Sequence, residues 1–188
     1  MGAYPNNTFI SAREGSRTMD KKVAKLINQQ INKELYSAYL YLSFTDYYKE
    51  EGLDGFANWY MIQVQEERDH ALIFRNYMHS NSEKITLEAI DKPDKVFKTH
   101  MDPLQAGLEH EKYVTSLIND IYAAAAKAND YRAMQFLDWF IKEQLEEEEN
   151  AQDLVDKMKL FGNDAKALYD LDKEYGTRVY NVPSPLAT

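Results

Sequence analysis

Two pairs of polar residues, Glu34 with Glu67 and Glu111 with Gln144, are each separated by 33 positions, one pair in each half of the chain. Three residues after Glu67 comes His70, and three after Gln144 comes Glu147, so the halves read E-x32-E-x2-H and E-x32-Q-x2-E. A step of three keeps both side chains on one face of a helix. Two helices per half, repeated once, bring four metal-type positions to one depth of a four-helix bundle. The fold has to accommodate that layer.

The rest of the chain is punctuated to suit. Of 7 Gly and 5 Pro, three prolines (Pro5, Pro183 and Pro185) lie near the termini, so the middle is nearly free of helix breakers. Asp20 is a suitable N-cap for a first helix ending at about Lys49, before Gly52. Asp54 is expected to cap a second, which continues to about Ser80. Residues 81–101 carry Pro93 and no sustained helical period. Asp102-Pro103 predicts an N-cap and a first-position proline for a third helix ending near Asn129. A fourth runs from Asp130 to Gly162, and a short fifth over about 164–175 precedes the tail.

Helices of about 27 residues are about 40 Å long, and roughly twenty extended residues cover that distance. The expected order is therefore hairpin, long crossover, hairpin, which gives the linking segment a geometric reason to be long.

Each helix carries an apolar stripe at three-and-four spacing, interrupted near its middle by polar residues. The first stripe reads Ile27, Ile31, Glu34, Ala38, Tyr41; the second Tyr60, Gln63, Glu67, His70, Phe74. The third reads Leu108, Glu111, Thr115, Ile118; the fourth Phe140, Gln144, Glu147, Ala151. Burying one unpaired carboxylate costs several kcal/mol, and several together also repel. Cations, or protonation of most of the group, make such a layer tolerable. Oxygen ligands with one imidazole and no sulfur suit iron or manganese better than Cu(I). A purely structural polar network is the rival reading.

Composition narrows the field. At 188 residues, 44% of them apolar, the chain fits one domain with a real core. A net charge of −9 disfavours nucleic acid as a partner and favours cations. The absence of Cys removes thiolate chemistry, disulfides and iron–sulfur clusters. No apolar run reaches the length of a membrane span, and a cytoplasmic location is expected. Residues 1–18 lack the apolar core of a signal peptide, and Asn6 sits where myristoylation requires Ser or Thr. They are expected to be a leader, tag or flexible extension, with the folded unit over 19–176 and a C-terminal tail over 177–188.

The segments Asn32-Lys-Glu34-Leu-Tyr-Ser, Gln65-Glu-Glu67-Arg-Asp-His70, Glu109-His-Glu111 and Glu143-Gln144-Leu-Glu-Glu147-Glu resemble those of ferritins of the haem-free bacterial type. The resemblance covers about residues 20–175. It implies an all-α, ferritin-like up-down-down-up four-helix bundle with one long crossover and a short fifth helix. It implies an iron-storage ferroxidase that oxidises two Fe(II) per subunit with O2 or hydrogen peroxide and stores Fe(III) mineral inside a 24-subunit shell. Glu34, Glu67 and His70 would hold the first iron, with Glu67 bridging to the second. Glu111 would complete the second position, and Gln144 and Glu147 would be direct or water-mediated partners. Tyr41 would stand beside the irons as hydrogen bonder or one-electron donor. Glu66, Glu143 and Glu146 would form a third iron site. Glu148 and Glu149 read as a solvated face, His79 and His100 as surface residues, and His110 as lying off the stripe. Trp59, Leu72 and Tyr39 would be contacts between subunits.

Departures matter too. Haem-binding bacterioferritin resembles this chain but has Met after the bridging Glu, where Arg68 stands here, and a second E-x-x-H where Glu147 stands. Both differences imply no haem. A non-storage di-metal oxidase or peroxidase of the same fold, and a non-enzymatic shell scaffold, are the alternative functions. A DNA-protecting mini-ferritin fits poorly with so acidic a chain.

Overall fold

Asp20 opens the first helix, α1 (Lys21–Glu50), by accepting hydrogen bonds from the backbone N–H of Lys22 at 2.8 Å and Val23 at 3.2 Å. The computed structural model describes residues 19–187, so the reading of 1–18 as a leader lies outside the described residues. Gly52, at φ 74°, supplies the left-handed turn into α2 (Asp54–Ser80). Residues 81–100 form a non-helical connection to α3 (Met101–Ala128). Asn129, at φ 54°, closes α3 in the left-handed conformation, and Asp130 caps α4 (Tyr131–Phe161) through the Ala133 N–H. Asp164 does the same for α5 (Ala165–Tyr175), accepting from Ala167 N–H at 2.7 Å.

α1 packs against α2 and α3 against α4 as two antiparallel hairpins. The connection is stapled along α1. Asn28 exchanges two hydrogen bonds with the backbone of Thr86, Asn32 donates to the Ala89 carbonyl, and Phe97 packs edge-on against Phe44 and Tyr47. At its far end the Tyr48 hydroxyl donates to the His100 carbonyl at 2.6 Å. The connection thus travels the length of α1, and the bundle runs up, down, down, up.

Two expected caps are corrected. Asp54 is the first residue of α2, not its cap, and pairs with Lys49 at the surface at 2.6 Å. The free N–H groups of that turn are served from α5 instead: Asp172 Oδ1 accepts from Gly55 at 2.8 Å and Phe56 at 3.0 Å. Asp102 lies inside the first turn of α3, which begins at Met101 with His100 before it. Its carboxylate reaches back to the N–H groups of Lys98 and Thr99, ordering the turn ahead of the helix.

The core is split in two. One cluster, around Ile27, Phe74, Ile118 and Phe140, fills the end of the bundle holding the start of α1. The other, around Phe44, Phe56, Leu104 and Met158, fills the opposite end and includes Leu171 and Tyr175 of α5. The polar layer lies between them. After α5 the tail runs back along α2: Asn58 donates to the Arg178 carbonyl, the Tyr180 hydroxyl donates to Asp69, and Leu186 packs on the first cluster. This contact leaves Trp59 half-buried, its ring edge-on to Tyr175 and under the Arg178 guanidinium. Tyr39 and Leu72 remain exposed.

Candidate metal centre

Glu34 of α1, Glu67 and His70 of α2, Glu111 of α3, and Gln144 and Glu147 of α4 are all buried, none more than 6% exposed. The stripe positions that interrupt each helix therefore do point inward, because apolar neighbours one turn away on either side drive the same face into the bundle. They divide into two unlike halves.

In the first half, Glu34, Glu67 and His70 each offer a ligand-type atom within 4.8 Å of the others. Gln30, one turn before Glu34, donates to Glu34 Oε1 at 2.9 Å and so fixes the carboxyl. Glu34 Oε2, Glu67 Oε2 and His70 Nε2 are buried without a hydrogen-bond partner. His70 Nδ1 stands 3.6 Å from Glu67 and its Nε2 stands 3.8 Å from Glu143, too far for hydrogen bonds. Trp139 and Phe140 meet the imidazole edge-on and hold its plane. Buried polar atoms are normally satisfied. Two carboxylates and an imidazole clustered this closely, each with a buried atom that lacks a hydrogen-bond partner, suit a cation.

The second half is closed by its own hydrogen bonds. Tyr41 donates to Glu111 Oε1, and Gln144 Nε2 donates to Glu111 Oε2 at 3.2 Å. Gln63 Nε2 donates to Glu147 Oε2 at 2.9 Å. A cation shared between the halves would have to turn Glu111 and Glu147 away from these donors.

Electrostatics follow from burial. Desolvation pushes the Glu34 carboxyl up, and desolvation with the nearby Glu111 pushes Glu67 up further. Burial and the charge of Glu147 raise Glu111 to about 8; burial, with Glu66 adding to it, raises Glu147 to about 7. Burial alone would lower the His70 imidazole, but Glu143, Glu67 and Glu34 outweigh it and hold the ring well above its ordinary value. Burial and Glu111 together push the Tyr41 phenol far up, so it stays a donor. The layer retains protons that a cation would displace.

The remaining candidates lie around this core. Glu66 and Glu143 are partly buried and Glu146 is exposed on the same side. Glu148 is not fully solvated, since Thr115 donates to it at 2.6 Å, while Glu149 is exposed. His79 is exposed, and His100 pairs with Glu51 at 3.1 Å. His110 meets the Tyr41 ring edge-on, contacts Ser37 at 2.8 Å, and is pushed down to about 4 by burial and by Lys95 and Lys33.

Three contributors escape notice in the sequence. Gln30 follows the helical period, as Gln63 of the second stripe does, and is detectable as an amide one turn from Glu34. Asp69 and Arg178 carry no local signal, because their partners lie more than a hundred positions away.

Known proteins share this fold. The family model for the ferritin-like domain matches residues 24–161. The bacterial non-heme ferritin of Campylobacter jejuni is 36% identical over 155 residues, covering 82% of this chain and 93% of its own. A probable bacterial non-heme ferritin-like protein of Haemophilus influenzae is 32% identical, covering 84% of this chain and 96% of its own. Among solved structures, the Archaeoglobus fulgidus ferritin engineered to a closed form superposes with a TM-score of 0.85 at 37% identity, over 87% of this chain and 100% of that one. The open-pore ferritin of the same organism gives 0.84 at 37%, over 86% and 98%. With five helices in this order among the described residues, a buried carboxylate–histidine layer and relatives matching over most of its length, the chain belongs to the ferritin family.

Proposed function

We propose that the protein is an iron-storage ferroxidase. Two Fe(II) per chain would bind in the polar layer as substrate, lose one electron each to O2 or hydrogen peroxide, and pass as Fe(III) into a mineral inside a homo-oligomeric, 24-subunit shell in the cytoplasm. The domain reading belongs to the same proposal, with 19–176 as the bundle and 177–188 as a tail. The observation that carries it is the clustering of the Glu34, Glu67 and His70 side chains, all buried and each with an unpartnered polar atom.

The residues divide the work. Glu34, held by Gln30, together with Glu67 and His70 would receive the first Fe(II) without rearrangement. Glu67, facing the second half, would bridge. Glu111 would exchange its proton for the second cation, and Tyr41 would keep one oxygen of Glu111 oriented as that exchange occurs. Gln144, donating to Glu111, would hold the second ion only weakly, which suits an ion in transit. Glu66, Glu143 and Glu146 border the layer on the side that could accept a third iron. The sulfur-free donor set favours hard, redox-active iron, and no axial haem ligand pair is part of this reading.

The test is aerobic Fe(II) oxidation followed by absorbance, with wild type beside Glu67→Ala. A rapid phase saturating near two irons per chain and lost in the variant is expected. Slow oxidation identical in both proteins would sink the proposal and leave the scaffold reading in front.

A further inference from the structure

Arg178 lies in the non-helical tail beyond α5, yet it is one of the most heavily engaged side chains near the polar layer. Its Nη2 donates to Glu66 Oε2 at 2.7 Å, and its Nη1 donates to Gln63 Oε1 at 2.6 Å and to the Trp59 carbonyl at 3.3 Å. The guanidinium also stacks on the Trp59 ring, 4.1 Å from its centroid. The backbone is pinned on either side, since Asn58 donates to the Arg178 carbonyl at 3.0 Å and Tyr180 donates to Asp69.

Gln63 makes the arrangement consequential. An amide that accepts on its oxygen from Arg178 must present its NH2 on the opposite side, and there it donates to Glu147 at 2.9 Å. The fork of one arginine thus neutralises Glu66 directly and fixes Glu147 through one intervening side chain. Both carboxylates are partners a divalent cation would want, and both are held by a positive charge that the chain itself supplies.

The geometry points to Arg178 as a tethered competitor for divalent cations at the edge of the metal layer. A cation gains Glu66, or frees Glu147 from Gln63, only by displacing the C-terminal tail from α2. Arg178 is then a positioning residue, and the tail is a latch that keeps this edge empty until cations accumulate. The inference rests on the proposed paired site, because it concerns what borders that site.

The experiment uses Zn(II), which undergoes no redox change, titrated calorimetrically into the intact assembled protein, with Trp emission followed in parallel. The paired site is identified as the phase lost in Glu67→Ala. In Arg178→Gln, a weaker phase should tighten at least tenfold, and adding Glu66→Gln should abolish that gain. In wild type, filling the weaker phase should change the part of the emission that disappears in Trp59→Phe, because the stacked guanidinium leaves the ring. Isotherms of wild type and Arg178→Gln that superimpose overturn the proposal, as does a gain that survives Glu66→Gln. Unchanged Trp59 emission at saturation overturns it from wild type alone, whether or not the variant folds. Absence of any phase sensitive to Glu67→Ala would instead strike the paired-site reading.

Discussion

Asp172 of α5 sits directly over Gly55 of α2: its Oδ1 accepts from the Gly55 N–H at 2.8 Å, and a Cβ on Gly55 would stand 1.6 Å from the Asp172 carbonyl oxygen. One contact supplies the cap that α2 lacks locally and admits only glycine beneath it. Gly55→Ala should therefore push α5 off the bundle, at a cost of about 1–3 kcal/mol for forced overpacking. Asp172→Ala should cost about 1 kcal/mol as a lost cap. Denaturant unfolding of both variants checks the order, and an alanine at 55 that is tolerated without loss would contradict the close crossing.

The burial of Glu34 without a partner for Oε2 sets metal binding against stability. Glu34→Gln keeps the shape and the bond from Gln30 while removing the charge. The metal-free protein should become more stable by about 0.5–2 kcal/mol. Affinity for a divalent cation should fall at least tenfold, about 1.4 kcal/mol. Parallel measurements of unfolding and Zn(II) binding decide it, and a variant that loses both stability and affinity would show the charge to be structurally satisfied.

Protonation gives the metal-free protein a definite pH dependence. Glu111 moves from an ordinary 4.5 to about 8 on folding and Glu147 to about 7, so between those limits the folded chain holds more protons than the unfolded one. Stability must then fall as pH rises through that window. The raised His70 imidazole acts in the same direction, its contribution being lost as pH climbs past its folded value. The thermal midpoint of metal-free protein should drop between pH 5.5 and 8.5, by roughly 2–4 °C per kcal/mol lost. Saturating Zn(II) should remove the trend, because the cation replaces the protons. A midpoint that rises with pH in the metal-free form would refute this account.

Tyr41 and Glu111 offer a narrower test. Tyr41→Phe removes the donor to Glu111 Oε1 and leaves Gln144 on Oε2. A buried acceptor without its donor costs about 1–3 kcal/mol. The metal-free variant should be destabilised by that amount, and its rapid Fe(II) oxidation should slow while a first cation binds as before. If the second cation binds and reacts unchanged, Tyr41 is only a packing residue.

What was legible in the sequence was what repeats along a helix. Glu34, Glu67, His70, Glu111, Gln144 and Glu147 stand at three-and-four spacing among apolar residues, and helical geometry carries that spacing straight into burial. The length of the connection followed from the length of the helices. What stayed hidden depends on pairs remote in sequence. Asp is a good cap, so Asp54 and Asp102 look like caps in the sequence, but Lys49 and the N–H groups of Lys98 and Thr99 engage them instead. Asp172, 117 positions from Gly55, leaves no periodic trace of its role. Arg178 lies in a tail without regular structure, so neither spacing nor composition connects it to Gln63 and Glu66.

The division of the core into two apolar clusters, one at each end, has a consequence for how this protein can vary. Most of the cohesion lies in the two ends, and the middle layer is spanned by helices already gripped on both sides, like planks held at both ends by separate clamps. The inner ligands can therefore be exchanged, an amide for a carboxylate as at Gln144, without loosening either clamp. Chemistry at the centre is free to drift while the architecture around it stays put.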